Sequence, residues 1–164
     1  MLRPRIIPCL LIANGGLVKT VQFKSPKYVG DPINAVKIFN EKKADELIVL
    51  DIDATKKSIK PNFNLIKKLA AECRMPLCYG GGISTVEEAE MLVDIGVEKV
   101  ALSSAVIENP LLVNELVKAV GSQSIVVVMD ILEQKNFLSK KYQLRTQNGT
   151  KIHKHELFYF IKKI

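Results

Sequence analysis

Two short apolar runs in this chain close on aspartates: Asp51 and Asp53 follow one, and Asp130 follows another. A carboxylate at the C-terminal end of a parallel strand stands where active sites of α/β folds form, and partial burial can raise its pKa enough for proton exchange. Taken singly, each aspartate also suits a loop or a helix cap. A second group is Tyr79-Gly80-Gly81-Gly82-Ile83-Ser84, at a strand end and just before a helix start. Three glycines let backbone approach a ligand closely, and the helix beyond offers free N–H groups and a positive dipole, so a phosphate fits there. The same triplet also serves a tight strand-to-helix turn that needs positive φ. Ser103-Ser104 makes another small, hydroxyl-bearing strand end one unit later, and the two ends together would cradle one phosphate. Lys19, in the long Gly15-Gly16 loop after the first strand, is placed to meet a phosphate or a carboxylate.

Arg5, Glu46 and Lys99 stand at or just before the starts of three strands. In a barrel they would ring its N-terminal mouth, where converging charges are costly unless paired. Exposed loop charges are the plainer alternative. His153 and His155 have no third ligand or base nearby and read as surface residues. Cys9, Cys73 and Cys78 form no metal-type spacing, and their odd number argues against a disulfide framework. The expectation is no metal, no cofactor and a reducing, cytoplasmic compartment.

The elements that must position these groups alternate from end to end. Strands are predicted at residues 5–11, 47–50, 76–79, 99–102 and 124–129, near-continuously apolar, as befits parallel strands covered on both faces. Asp31-Pro32 opens a helix reaching about Lys43, and Pro61 opens another with the stripe Ile66, Leu69, Ala70, Cys73. Ser84-x-x-Glu87 reads as a capping box for a helix ending at Gly96, and Asn109-Pro110 starts one closed by Gly121. Residues 136–150 read as a polar hairpin with an Asn148-Gly149 turn, and Leu157, Phe160, Ile161 and Ile164 as a new helical stripe. The pattern is α/β, a partial (β/α)8 TIM barrel of about four and a half βα units with parallel strands. It makes one incomplete domain over residues 1–164, against about 250 residues for a closed barrel. Unpaired strand edges would then invite self-association. An open doubly wound sheet is the alternative, though no glycine fingerprint follows the first strand.

Composition narrows the class further. The 164 residues are 48% hydrophobic and 25% charged, with a formal charge of +7, which excludes disorder and suits a single globular domain. No apolar run approaches the roughly 20 residues of a membrane helix. The lysines are scattered along putative helix faces without an arginine cluster or stacking aromatics, so anionic small ligands are favoured over nucleic acid.

In order along the chain, Arg5-Ile6-Ile7-Pro8-Cys9-Leu10, Gly30-Asp31-Pro32, Asp45-Glu46-Leu47, Leu50-Asp51-Ile52, Gly80-Gly81-Gly82-Ile83, Glu108-Asn109-Pro110 and Gly121-Ser122-Gln123 resemble the cyclase subunit of imidazole glycerol phosphate synthase. The resemblance implies a (β/α)8 barrel that, with a glutaminase partner, uses ammonia to split an aminoimidazole-carboxamide ribonucleotide precursor into imidazole glycerol phosphate for histidine synthesis. By position it makes Asp130 one of two catalytic aspartates and Lys19 and Asp51 further active-site residues. It places Gly82, Ser103 and Ser104 at a phosphate site, and Arg5, Glu46 and Lys99 in a charged gate for ammonia. Two departures follow. Leu11 stands where the second catalytic aspartate belongs, and an aliphatic side chain cannot carry a proton. The chain also stops before strands six to eight, which predicts impaired turnover. Cys9-Leu10-Leu11-Ile12 and Leu17-Val18-Lys19-Thr20 are more similar to a paralogous branch linked to ammonia-dependent amidation of an acetamido sugar for lipopolysaccharide. A non-catalytic phosphate-binding half-barrel is the remaining expectation.

Overall fold

The computed structural model describes residues 3–22, 24–136 and 139–164. In chain order it contains β1 (Cys9–Ala13), β2 (Gly16–Val21), β3 (Lys24–Gly30), α1 (Pro32–Glu41), β4 (Leu47–Asp51), α2 (Phe63–Glu72), β5 (Leu77–Gly80), α3 (Val86–Asp94), β6 (Lys99–Leu102), α4 (Ser104–Glu108), α5 (Leu111–Val120), β7 (Ile125–Val127), β8 (Asp130–Asn136), β9 (Ser139–Thr146), β10 (Lys151–Glu156) and α6 (Leu157–Lys163). Five strands, β1, β4, β5, β6 and β7, are parallel neighbours in sequence order. With helices returning the chain between them, they are consecutive units of a (β/α)8 barrel, as the alternation of apolar runs and amphipathic stretches predicts.

Strand periodicity sorts the side chains into two faces. On one, Cys9, Ile48, Cys78 and Lys99 share a row, and Leu11, Leu50, Gly80 and Ala101 share the row above it, toward the carboxyl ends. On the other, Leu47, Val49, Leu77, Tyr79, Val100 and Leu102 are buried in one core with Val36 of α1, Ile66 and Leu69 of α2, Leu92 of α3 and Leu116 of α5. A second, smaller core joins Ile107 of α4, Leu144 of β9, and Leu157 and Phe160 of α6. That core fastens the three-stranded sheet β10-β9-β8 and the last helix to the barrel layer.

Several boundaries differ from expectation for local physical reasons. The first strand begins at Cys9 rather than residue 5, since Pro8 has no N–H to donate; its carbonyl still accepts from Ile48 N at 2.9 Å. The capping box of α3 is Thr85 with Glu88, one residue later than the Ser84–Glu87 reading. Asn62, not Pro61, caps α2, accepting from Leu65 N at 3.1 Å. The stretch after Gly15-Gly16 is no loop but the antiparallel hairpin β2–β3, added to the sheet beside β1. The Asn14-Gly15 turn, which joins β1 to β2, has both residues at positive φ (50° and 77°). Lysine-rich β3 is exposed along nearly its whole length, so no apolar alternation announced it. The Asn148-Gly149 turn exists, but it joins β9 to β10 rather than closing a hairpin from Asn136.

Candidate functional site at the two ends of the strands

At the amino-terminal ends, the three charged residues meet. Glu46, immediately before β4, is 7% exposed. Its Oε1 accepts from Arg5 Nη1 and its Oε2 from Lys99 Nζ at 2.7 Å. The hydrogen bond from Lys99 lowers the Glu46 carboxyl below the usual glutamate range; burial opposes it, and the two positive charges add to it. The other three side chains in the row of Lys99, namely Cys9, Ile48 and Cys78, are not acids or bases of the ion cluster. Burial pushes the Cys78 thiol up to about 11, so it stays protonated, beside Ile48 and Cys9. All three cysteines are free thiols.

At the carboxyl ends the same strands open into a cavity of about 560 Å³. Asp51, Asp130, the glycines Gly80, Gly81 and Gly82, and the serines Ser103 and Ser104 all line it. The expected rim is therefore one place. Asp51 Oδ1 accepts from Asp53 N (3.0 Å) and Ala54 N (3.1 Å), which fixes it at the start of the following loop. Burial raises the Asp51 carboxyl, those two N–H bonds partly offset the rise, and the neighbouring Asp53 charge adds to it. Asp130 opens β8 and burial alone raises its carboxyl. Burial of this kind moves a carboxyl toward the range in which it can serve as an acid or base. Leu11 lines the same cavity in the row with Leu50, so that part of the wall carries no proton-transferring group.

The glycines answer to backbone crowding as much as to a ligand. A Cβ at Gly81 (φ +116°) would lie 2.3 Å from the Asp51 carbonyl oxygen, and one at Gly82 (φ +75°) 2.6 Å from that of Ile59. The loop after β4 is thus pressed onto the loop after β5. The two amides just before α3 are taken up by the helix itself. Glu88 Oε2 accepts from Ser84 N (2.8 Å), Ser84 Oγ (3.0 Å) and Thr85 N (3.3 Å). On the serine side of the rim, Ser103 makes no side-chain capping bond to α4.

Lys19 is not brought to the cavity. In the β1–β2 ladder Val18 lies opposite Leu11, so Val18 and Thr20 share its face; Thr20 lines the cavity while Lys19 is exposed on the other side, across from Lys27. Reading the stretch as a loop hid this alternation. Sequence reasoning also missed Lys56, Lys60, Glu88, Gln147 and Asn148, which all line the cavity. The β9–β10 turn reaches it because Asn148 Nδ2 donates to the Ile52 carbonyl at 3.3 Å, a contact 96 residues apart. His153 bonds Thr146 through Nε2 at 2.8 Å, within the small sheet. Among the described residues no cluster of histidine, cysteine, aspartate or glutamate could hold a metal ion, and no helix is long and apolar enough to cross a membrane.

Parallel strands with a compensated ion cluster at one end and a carboxylate-bearing cavity at the other define a barrel protein of the (β/α)8 class. The sequence matches the family described as histidine biosynthesis protein over residues 5–164, and the chain belongs to that family. It is 56% identical over its whole length to a Vibrio vulnificus protein provisionally named imidazole glycerol phosphate synthase subunit hisF3, covering 62% of that protein. It is 51% identical over 151 residues to a Pseudomonas aeruginosa protein provisionally named subunit hisF2, covering 92% of this chain and 59% of that protein. With the Flavobacterium johnsoniae imidazole glycerol phosphate synthase subunit HisF it shares 42% identity over 130 residues, 79% of this chain and 52% of the relative. The chain thus spans about half to three fifths of the length of these relatives.

Proposed function

We propose that this chain supplies the amino-terminal strands of a HisF-type barrel, in which a glutaminase partner delivers ammonia at the Arg5–Glu46–Lys99 mouth. A phosphorylated substrate sits in the cavity at the other end. One observation carries the reading: ion cluster and cavity terminate the same parallel strands, with Cys9, Ile48 and Cys78 beside Lys99 in the lower row and Leu11, Leu50, Gly80 and Ala101 in the row above. Asp130 acts as the acid/base, Asp51 shapes the floor, and Gly80, Gly81, Gly82, Ser103 and Ser104 hold the phosphate. Lys19 enters only if β2–β3 moves toward the cavity. The test uses Glu46→Lys and Lys99→Glu. Affinity for a HisH-type glutaminase subunit, measured by titration calorimetry, is expected to fall at least tenfold while methyl phosphate binding holds. Equal losses in both assays would defeat the gate assignment.

A second reading is ammonia-dependent amidation of an acetamido sugar, which Leu11 favours. A cavity wall with leucine where a proton donor is needed suits a reaction requiring one carboxyl, not two. Turnover of a nucleotide-linked acetamido sugar with ammonium, absent for the imidazole precursor, would decide for it.

A further inference from the structure

The row of side chains that floors the cavity does not stop at β1. Leu50, Gly80 and Ala101 line the cavity in register with Leu11. Leu11 lies opposite Val18 of β2, and Val18 lies opposite Tyr28 of β3, so the row runs out to Tyr28, its one aromatic member. Residues directly opposite share a face, and neighbouring strands lie about 4.8 Å apart, which puts Tyr28 about 10 Å along the sheet from Leu11. The ring is 66% exposed, yet its place is built into the hairpin. A Cβ on Gly16 would lie 2.8 Å from Cε2 and 3.0 Å from Cδ2 of Tyr28, so one ring edge rests where a side chain would otherwise stand. Gly16 does not have a positive φ, and glycine there supplies space rather than backbone freedom. Gly16 pairs with Ala13 at the carboxyl end of β1, so the ring leans toward the mouth of the cavity. A tyrosine ring packed along one edge and open over most of its surface is a platform on which a second flat ring can stack.

We propose that Tyr28, seated on Gly16, is a stacking subsite beside the cavity for the planar nitrogen heterocycle of a ribonucleotide-type ligand. Both functional readings above supply such a ring, an aminoimidazole in one and the base of a nucleotide-linked sugar in the other. The inference rests on the cavity being the ligand site, and phosphate-free probes separate the two. Uridine monophosphate, aminoimidazole-carboxamide ribonucleotide and ribose 5-phosphate are titrated by ligand-observed NMR. At least one of the two ribonucleotides is expected to bind about tenfold tighter than ribose 5-phosphate, and the one that gains more identifies the ring. Tyr28→Ser, a change at an exposed side chain, is expected to erase that gain, and Tyr28→Phe to keep it. Gly16→Ala displaces the ring without straining the backbone and is expected to cut the gain about threefold. Saturation transfer from the protein to the ring protons of the two free nucleosides is expected for at least one of them and is lost in Tyr28→Ser. No gain for either ribonucleotide, or a gain that survives Tyr28→Ser, overturns the proposal. If ribose 5-phosphate fails to bind while a nucleoside still reports contact that Tyr28→Ser removes, the phosphate seat fails and the stacking subsite stands.

Discussion

The two ends of the barrel strands handle carboxylates in opposite ways. At the amino-terminal mouth Glu46 is buried against two cations, and its carboxyl is held ionised below the usual range. At the carboxyl ends Asp51 and Asp130 are partly buried with no cation paired to either among the described residues, and their carboxyls are raised. The first arrangement is closed: each charge already has its partner. The second is open: burial outweighs the two N–H bonds at Asp51 and acts alone at Asp130, and incompletely compensated burial is the condition under which a carboxyl trades protons or waits for a ligand. Charge is paired at the mouth and left without an ion-pair partner in the cavity.

The comparison is most easily broken by backbone strain on the cavity side. Gly81→Ala puts a Cβ 2.3 Å from the Asp51 carbonyl oxygen at a φ of +116°, and is expected to cost about 3 kcal/mol or more in denaturant unfolding. A loss under about 1 kcal/mol would mean that the two loops separate freely. Next is Lys99→Met, which leaves Glu46 with the exposed Arg5 as its remaining ion-pair partner and is expected to cost about 2–3 kcal/mol. Arg5→Met, at a side chain 62% exposed, should cost about 1 kcal/mol or less. Equal costs would contradict the ranking of the two cations.

Acid titration sharpens the contrast, since the signs oppose. The Glu46 carboxyl is lowered in the folded chain, so its stabilisation is complete above its unfolded value and lost as pH falls through the folded one. The Asp130 carboxyl is raised, so stability declines as pH rises from the ordinary aspartate value, about 4, through its folded value. In unfolding measured from pH 3 to 8, the wild-type advantage over Glu46→Gln should grow with pH. Relative to Asp130→Asn, the wild-type chain should lose ground. Parallel curves would end the distinction. The smallest effect belongs to Lys19→Met, expected to change methyl phosphate affinity by less than twofold, since the side chain stands on the far face of β2. A larger drop would require the hairpin to swing over the cavity when ligand binds.

Much of this design was legible in residue order. Apolar runs and helix caps such as Asp31, which accepts from Asn34 N at 2.9 Å, gave strands and helices to within a few residues, because caps and periodicity are local. The same locality explains the misses. Thr85 and Ser84 are both good caps, and only the reach of Glu88 back to the chain before α3 selected Thr85. The β2–β3 hairpin escaped because its outer strand faces solvent and shows no buried stripe.

The order of strand and helix, the acidic strand ends and the small residues of the rim were determined by the sequence alone, since each depends on neighbours a few positions away. Tertiary structure decided which of those groups meet. Glu46 finds Lys99 across 53 residues, and Asn148 closes on Ile52 across 96. Such convergence follows from ladder register and loop packing, which side-chain order encodes only through the whole fold.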